Sequence, residues 1–241
     1  MQISLSLWRM AFLGVTFSVH REGFKFIGAL AAATLLFLFI SSTFAWIFLF
    51  LTLFCAFFFR NPKRIVPLDN NLVVSPCDGT VCSISLESPP AELGIGEEKR
   101  YKISIFLSIF NVHMNRTPVA GRIKSVIYQP GTFLNAALDK SSVFNEKNAL
   151  VMEVNDAPQN LIAFTQIAGI IARRIICDAH EGQEIGKGEI FGLIRFGSRC
   201  DIWLPVNVAP KISKGQTMIG GESIIADLSI KDSKLLECAI I

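Results

Sequence analysis

The chain has 241 residues, of which 51% are hydrophobic, with a mean hydropathy of +0.46 and a formal net charge of +3. That length suits one domain of about 100–200 residues together with an anchor, and the hydropathy argues against a wholly soluble chain. The small charge, with no dense Lys/Arg run interleaved with aromatics, excludes a nucleic-acid partner. The six cysteines, Cys55, Cys77, Cys82, Cys177, Cys200 and Cys238, form no CxxC pair. Their spacing fits no zinc template, so no metal is expected and they read as reduced thiols.

Residues 1–25 read as a cytoplasmic N-terminal segment. From Phe26 to Phe59 there is no charged residue. As one helix this stretch would be about 51 Å long, against a bilayer core of about 30 Å. It divides at Ser41-Ser42-Thr43, and basic residues flank it on both sides: Arg9, Arg21 and Lys25 before, Arg60, Lys63 and Arg64 after. Basic flanks mark the cytoplasmic face. The expectation for 26–59 is a membrane hairpin of two short helices, spanning or re-entrant, with a single tilted helix as the alternative. No small-residue cleavage site follows, as a signal peptide would require.

Beyond Pro67, short β-branched segments alternate with Gly, Pro, Asn and Asp. Strands are predicted over Leu72–Val74, Thr80–Leu86, Tyr101–Leu107, Arg122–Tyr128, Ala149–Val154, Leu161–Ala168, Ile170–Cys177, Ile190–Arg195, Cys200–Leu204 and Ser223–Ala226. Residues 60–241 therefore read as one mainly β domain, a β-sandwich or partly closed barrel. Two Gly-rich stretches, Gly182–Glu189 and Lys214–Glu222, suit hairpin turns of a lipoyl-like or barrel-sandwich-hybrid-like module. Neither has dinucleotide-fingerprint spacing.

Three clusters carry candidate chemistry. In Ser75-Pro76-Cys77-Asp78-Gly79-Thr80-Val81 the carboxylate stands at what is equally an ordinary turn. Phe110-Asn111-Val112-His113-Met114-Asn115-Arg116-Thr117-Pro118 holds one of only three histidines; such a residue is either a general base or a buried structural group. In Ile194-Arg195-Phe196-Gly197-Ser198-Arg199-Cys200-Asp201 the Gly-Ser step is otherwise a bulge. Together they supply an acid, a base and a hydroxyl nucleophile, a set capable of acyl transfer. The Gly-x-Ser-x-Gly elbow of the α/β-hydrolases is missing.

These clusters, in this order, resemble the short prokaryotic-type phosphatidylserine decarboxylases. The likeness also includes the exit motif Phe58-Phe59-Arg60-Asn61-Pro62-Lys63-Arg64 and the run Gly131-Thr132-Phe133-Leu134-Asn135-Ala136-Ala137-Leu138-Asp139-Lys140-Ser141, continuing to Asn145-Glu146-Lys147-Asn148. It covers nearly the whole chain. Cys77 replaces the Ala frequent before the catalytic Asp, and Asn61 replaces an Asp frequent in the exit motif.

The resemblance implies a proenzyme that cuts itself between Gly197 and Ser198 into chains 1–197 and 198–241, which stay associated as a heterodimer. Ser198 becomes the pyruvoyl cofactor. The cofactor decarboxylates phosphatidylserine to phosphatidylethanolamine through a Schiff base with the headgroup amine. His113 is the expected base and Asp78 its orienting partner. His113 is also the expected proton donor after CO₂ is lost. Arg116, Lys140 and Arg195 are candidates for the lipid phosphate. The enzyme would sit on the cytoplasmic membrane with its catalytic domain facing the cytoplasm. The alternatives are a membrane-tethered serine hydrolase using Ser198, His113 and Asp78, and a non-catalytic lipoyl-like module.

Overall fold

A computed structural model describes residues 9–12, 15–131, 145–155, 157–169, 174–195 and 197–229. The chain forms two compact units, Met1–Lys63 and Arg64–Ile241.

The first unit holds α1 (Gly23–Phe37) and α2 (Ser42–Phe58), with strands β1 (Arg9–Phe12), β2 (Val15–Val19) and β3 (Arg60–Asn61) in a small antiparallel sheet of order β1-β2-β3. The helices break at residues 38–41, ahead of Ser42, because Ser41 is extended there (φ −160°, ψ 118°). They touch through the Thr34 and Thr52 hydroxyls, 3.4 Å apart, and through stacked Phe37 and Phe48 rings with centroids 5.0 Å apart. Much of their apolar surface is open, Leu36, Trp46 and Phe50 included. At 15 and 17 residues they reach about 22 and 26 Å, and no described helix is long and apolar enough to cross a membrane.

The second unit is mainly β, as expected. Its strands are β4 (Leu72–Val74), β5 (Gly79–Glu87), β6 (Arg100–Leu107), β7 (Met114–Arg116), β8 (Gly121–Gln129), β9 (Lys147–Val154), β10 (Ala157–Ala168), β11 (Ile175–Cys177), β12 (Glu184–Ile185), β13 (Ile190–Ile194), β14 (Ser198–Pro205), β15 (Thr217–Met218) and β16 (Ile224–Asp227). An eight-stranded antiparallel sheet runs β12-β8-β9-β10-β14-β6-β5-β15, beside a three-stranded sheet β11-β13-β7 and the pair β16-β4. The predicted strands fall on these elements with ends moved by a few residues. The exception is the one expected from Ile170, which begins only at Ile175; residues 170–173 lie outside the described residues.

Strand alternation divides the large sheet into two faces. Ile103, Ile105 and Leu107 on β6, Cys200 and Ile202 on β14, Ile162 and Phe164 on β10, and Leu150 and Met152 on β9 share the main core with Val73, Phe191 and Ala226 from the smaller sheets. On the other face Ala149, Val151, Ala163 and Trp203 pack beneath Leu93 and Ile95. Burial on both sides explains why these strands read as apolar runs rather than as alternating ones.

Candidate functional site

Ser198 opens β14 at the centre of the large sheet, paired with Ala168 of β10 on one side and Leu107 of β6 on the other. The residue before it, Gly197, has φ +63°, the left-handed conformation that a Cβ disfavours. Ser198 is fully buried, and its Oγ has no hydrogen-bond partner among the described residues. An orphaned buried hydroxyl costs about 1–3 kcal/mol. In register with Ala168 and two residues from Cys200, it faces the core.

His113 directly precedes β7 and is also fully buried. Its carbonyl extends the β7–β13 ladder by accepting the Ile194 N–H at 3.4 Å. Its Nδ1 lies 3.0 Å from the Asn111 carbonyl oxygen. A carbonyl can only accept, so the neutral ring keeps its proton on Nδ1, and Nε2 is the basic nitrogen.

The segment carrying Asp78 is bound to the same strand, because Arg116 N–H donates to the Pro76 carbonyl at 2.8 Å. Ser75 Oγ steadies it from within, donating to the Cys77 carbonyl at 2.7 Å. Gly79 must be glycine: a Cβ there would stand 2.3 Å from the Phe106 carbonyl oxygen. Asp78 takes Arg64 Nη2 at 2.8 Å from both carboxylate oxygens and the Gly220 N–H at 2.8 Å. Its hydrogen bonds are therefore with Arg64 and Gly220, and none joins it to His113. Next to it, burial, then the neighbouring Cys200 thiol and the nearby carboxylates, push the Cys77 thiol well above its usual range.

The three segments thus meet in one interior region, and strand pairing, not proximity in sequence, brings them there. Of the other candidates, Arg116 Nη1 donates to the Gly188 carbonyl at 2.8 Å. Burial lowers its pKa from the usual guanidinium value, and neighbouring Arg64 lowers it further. Arg195 lies on the β13–β14 connection, its N–H donating to the Arg174 carbonyl at 3.3 Å. Lys140 lies outside the described residues. No group of residues suited to a metal occurs among the described residues.

Sequence reasoning missed three features of this region. In the sequence Arg64 is a basic flank and the end of the exit motif, with nothing to mark it as the partner of Asp78. Arg199, beside Ser198, points to the opposite face and forms a buried pair with Asp201 (Nε–Oδ1 2.8 Å, Nη2–Oδ2 3.1 Å). A chain of buried amides, Asn148, Gln166 and Asn115, crosses between the two sheets. The Arg64–Asp78 contact and the amide chain depend on pairing between separate segments, whereas Arg199 and Asp201 share a face because they are two residues apart on one strand. A cavity of about 290 Å³ also lies on the outer face, lined by Lys102, Lys147, Thr165 and Trp203 among others. Its lysines are paired, Lys102 with Glu87 and Asp201 and Lys147 with Glu92, and it is across the sheet from Ser198.

The mainly β domain thus brings a left-handed glycine, a buried serine that opens a central strand and a buried imidazole to one interior, the kind of set from which acyl-transfer enzymes are built. The chain belongs to the phosphatidylserine decarboxylase family, whose profile matches residues 51–226. It is 48% identical to the phosphatidylserine decarboxylase proenzyme of Beijerinckia indica subsp. indica over 87% of this chain and 89% of the relative. It is 50% identical to that of Ruegeria pomeroyi over 87% and 95%, and 48% identical to that of Rickettsia bellii over 91% and 94%.

Proposed function

We propose that this chain decarboxylates phosphatidylserine to phosphatidylethanolamine, using a pyruvoyl group that it makes from Ser198 by cutting itself after Gly197. The observation that carries the reading is the buried, unpartnered Ser198 Oγ beside a glycine with φ +63°. A serine hydroxyl needs a base to become a nucleophile at neutral pH, and His113 Nε2 has the right tautomer. The hydroxyl attacks the Gly197 carbonyl carbon and converts the amide to an ester. Loss of the Ser198 Cα proton then releases the Gly197 carboxylate and leaves a dehydroalanine, which tautomerises to an imine that water hydrolyses to the ketone with release of ammonia.

When formed, the pyruvoyl group supplies a carbonyl that captures the headgroup amine and takes up the electrons left by CO₂. The residues around it fit, since Ser198 sits in a buried interior that excludes bulk water. His113 can return the proton after decarboxylation. Asp78 is the orienting partner of His113, linked to it through the β7 segment, which Arg116 N–H joins to the Pro76 carbonyl, rather than by touching the ring. Arg116, Lys140 and Arg195 are the cations proposed for the lipid phosphate.

Chains 1–197 and 198–241 stay together after the cut, because β14 is hydrogen-bonded on both edges, to β10 and to β6. Residues 26–59 form a membrane hairpin, and residues 60–241 are the catalytic domain, lipoyl-like in its sandwich and facing the cytoplasm. The exposed apolar side chains of both helices support a lipid-facing role, because a soluble monomer rarely exposes so large an apolar patch.

The test is mass under denaturing conditions. The expected result is two chains, the shorter beginning at position 198 with a ketone in place of an amine, and a single intact chain from Ser198→Ala. A wild-type chain that stays whole but cleaves esters would instead make Ser198 the nucleophile of a hydrolase.

A further inference from the structure

Asn115 is fully buried, and its Nδ2 has no hydrogen-bond partner among the described residues. The network around it fixes which way the amide points. Gln166 lies 3.3 Å through Nε2 from the Ile176 carbonyl oxygen, which can only accept, so that end of Gln166 is the amino group. The same Nε2 donates to Asn115 at 2.9 Å, so the Asn115 atom facing it must be Oδ1. Asn148 Nδ2 completes the chain by donating to Gln166 Oε1 at 3.0 Å. Asn115 therefore presents an N–H₂ group, locked in orientation, to a place where no described residue offers an acceptor. A buried orphan donor is costly, and one held in place by two further amides points to an acceptor that exists only transiently.

The register shows where that acceptor arises. Ala168, opposite Ser198, is two residues along β10 from Gln166, about 7 Å. Gln166, Ala168, Ser198 and Cys200 therefore share the interior face of the sheet. Asn115 reaches Gln166 from β7, and alternation puts the His113 and Asn115 side chains on the same side of that segment. The orphan donor, the orphan hydroxyl and the imidazole thus face one interior.

The geometry points to Asn115 as the oxyanion donor of self-cleavage, an inference that rests on the cleavage reading above. As the Ser198 Oγ–C bond to Gly197 forms, the Oγ proton passes to His113 Nε2, and the carbonyl π pair moves onto the Gly197 oxygen. Asn115 Nδ2–H donates to that oxygen. Collapse restores the carbonyl, breaks the C–N bond and places the proton on the Ser198 nitrogen, leaving an ester and a free amine.

The test follows processing of newly made full-length chain by denaturing mass, with wild type and Ser198→Ala alongside. Asn115→Leu removes the donor and should slow cleavage about 100-fold, the usual effect of losing one oxyanion donor. Asn115→Asp keeps the acceptor for Gln166 but puts a carboxylate where the donor was. At pH 8 it should cut more slowly than Asn115→Leu, and its rate relative to wild type should rise as the pH falls and an O–H donor forms. A purely structural Asn115 gives the reverse order, with Asp milder than Leu at every pH, and that order overturns the proposal, as does wild-type cutting by either variant. If Asn115→Leu fails to fold, the pH trend of Asn115→Asp decides alone. A wild-type chain that stays whole overturns the cleavage reading itself and this inference with it, whereas cutting in wild type with unchanged variants removes Asn115 only.

Discussion

Arg64 Nη2 lies 2.8 Å from both carboxylate oxygens of Asp78, and the two side chains are only 11% and 15% exposed. The pair ties the first residue of the second unit to the motif in which the sequence places the acid. Removing the guanidinium leaves the carboxylate with the Gly220 N–H as its remaining donor. Arg64→Gln should cost about 2 kcal/mol, the range for a hydrogen bond to a charged group, and should slow processing. Urea unfolding in the uncut Ser198→Ala background gives a single-chain measurement. An unchanged midpoint would show that the pair contributes nothing.

Gly79 is where backbone approach is closest beside Asp78. A Cβ at this position would meet the Phe106 carbonyl oxygen at 2.3 Å and its carbon at 2.9 Å. Both are backbone atoms and cannot rotate away. Gly79→Ala should destabilise the domain by about 2 kcal/mol, as overpacking does, and displace the Asp78 carboxylate. The denaturation midpoint reports the first effect and the processing rate the second.

The Arg199–Asp201 pair is buried on the face opposite Ser198, with side chains 2% and 3% exposed. Breaking a buried pair from one side costs about 3–5 kcal/mol, and without Arg199 the Asp201 carboxylate keeps only the longer contact with Lys102 at 3.9 Å. Arg199→Leu alone and Asp201→Leu alone should each reach that range, while the double replacement should cost less than either. A double-mutant cycle by urea unfolding checks this, and additive losses would refute the coupling.

Cys77 gives a pH dependence. Its thiol is raised well above the ordinary value of 9.0, first by burial and then by the neighbouring Cys200 thiol. In the unfolded chain the thiol ionises near that value, while in the fold it stays protonated. The unfolded state therefore loses the proton first, and stability present below pH 9 should decline as pH rises beyond it, by up to about 1.4 kcal/mol per pH unit. Cys77→Ala should flatten that decline. Equal slopes above pH 9 in the two proteins would contradict the assignment.

Much of the fold was legible in the sequence because strands declare themselves locally. Leu72–Val74 appears with the limits expected, and the other β-branched segments grew or shrank by a few residues as neighbouring strands extended or ended the ladders. The Gly-rich stretches were legible for the same reason: Gly182, Gly188, Gly215 and Gly221 all have positive φ, which few other residues adopt. The family was legible because its motifs are contiguous runs.

By itself, then, the sequence determined the uncharged N-terminal stretch, the strand-rich body and the identities of an acid, an imidazole and a Gly-Ser step. Only tertiary structure decided who touches whom. Asp78 bonds Arg64 and Gly220 instead of His113, Arg199 turns away from its neighbour Ser198 to pair with Asp201, and Asn115 meets Gln166 from another sheet. The reason is that strand alternation and register set the face of every side chain, and register is fixed by pairing between segments far apart in the chain.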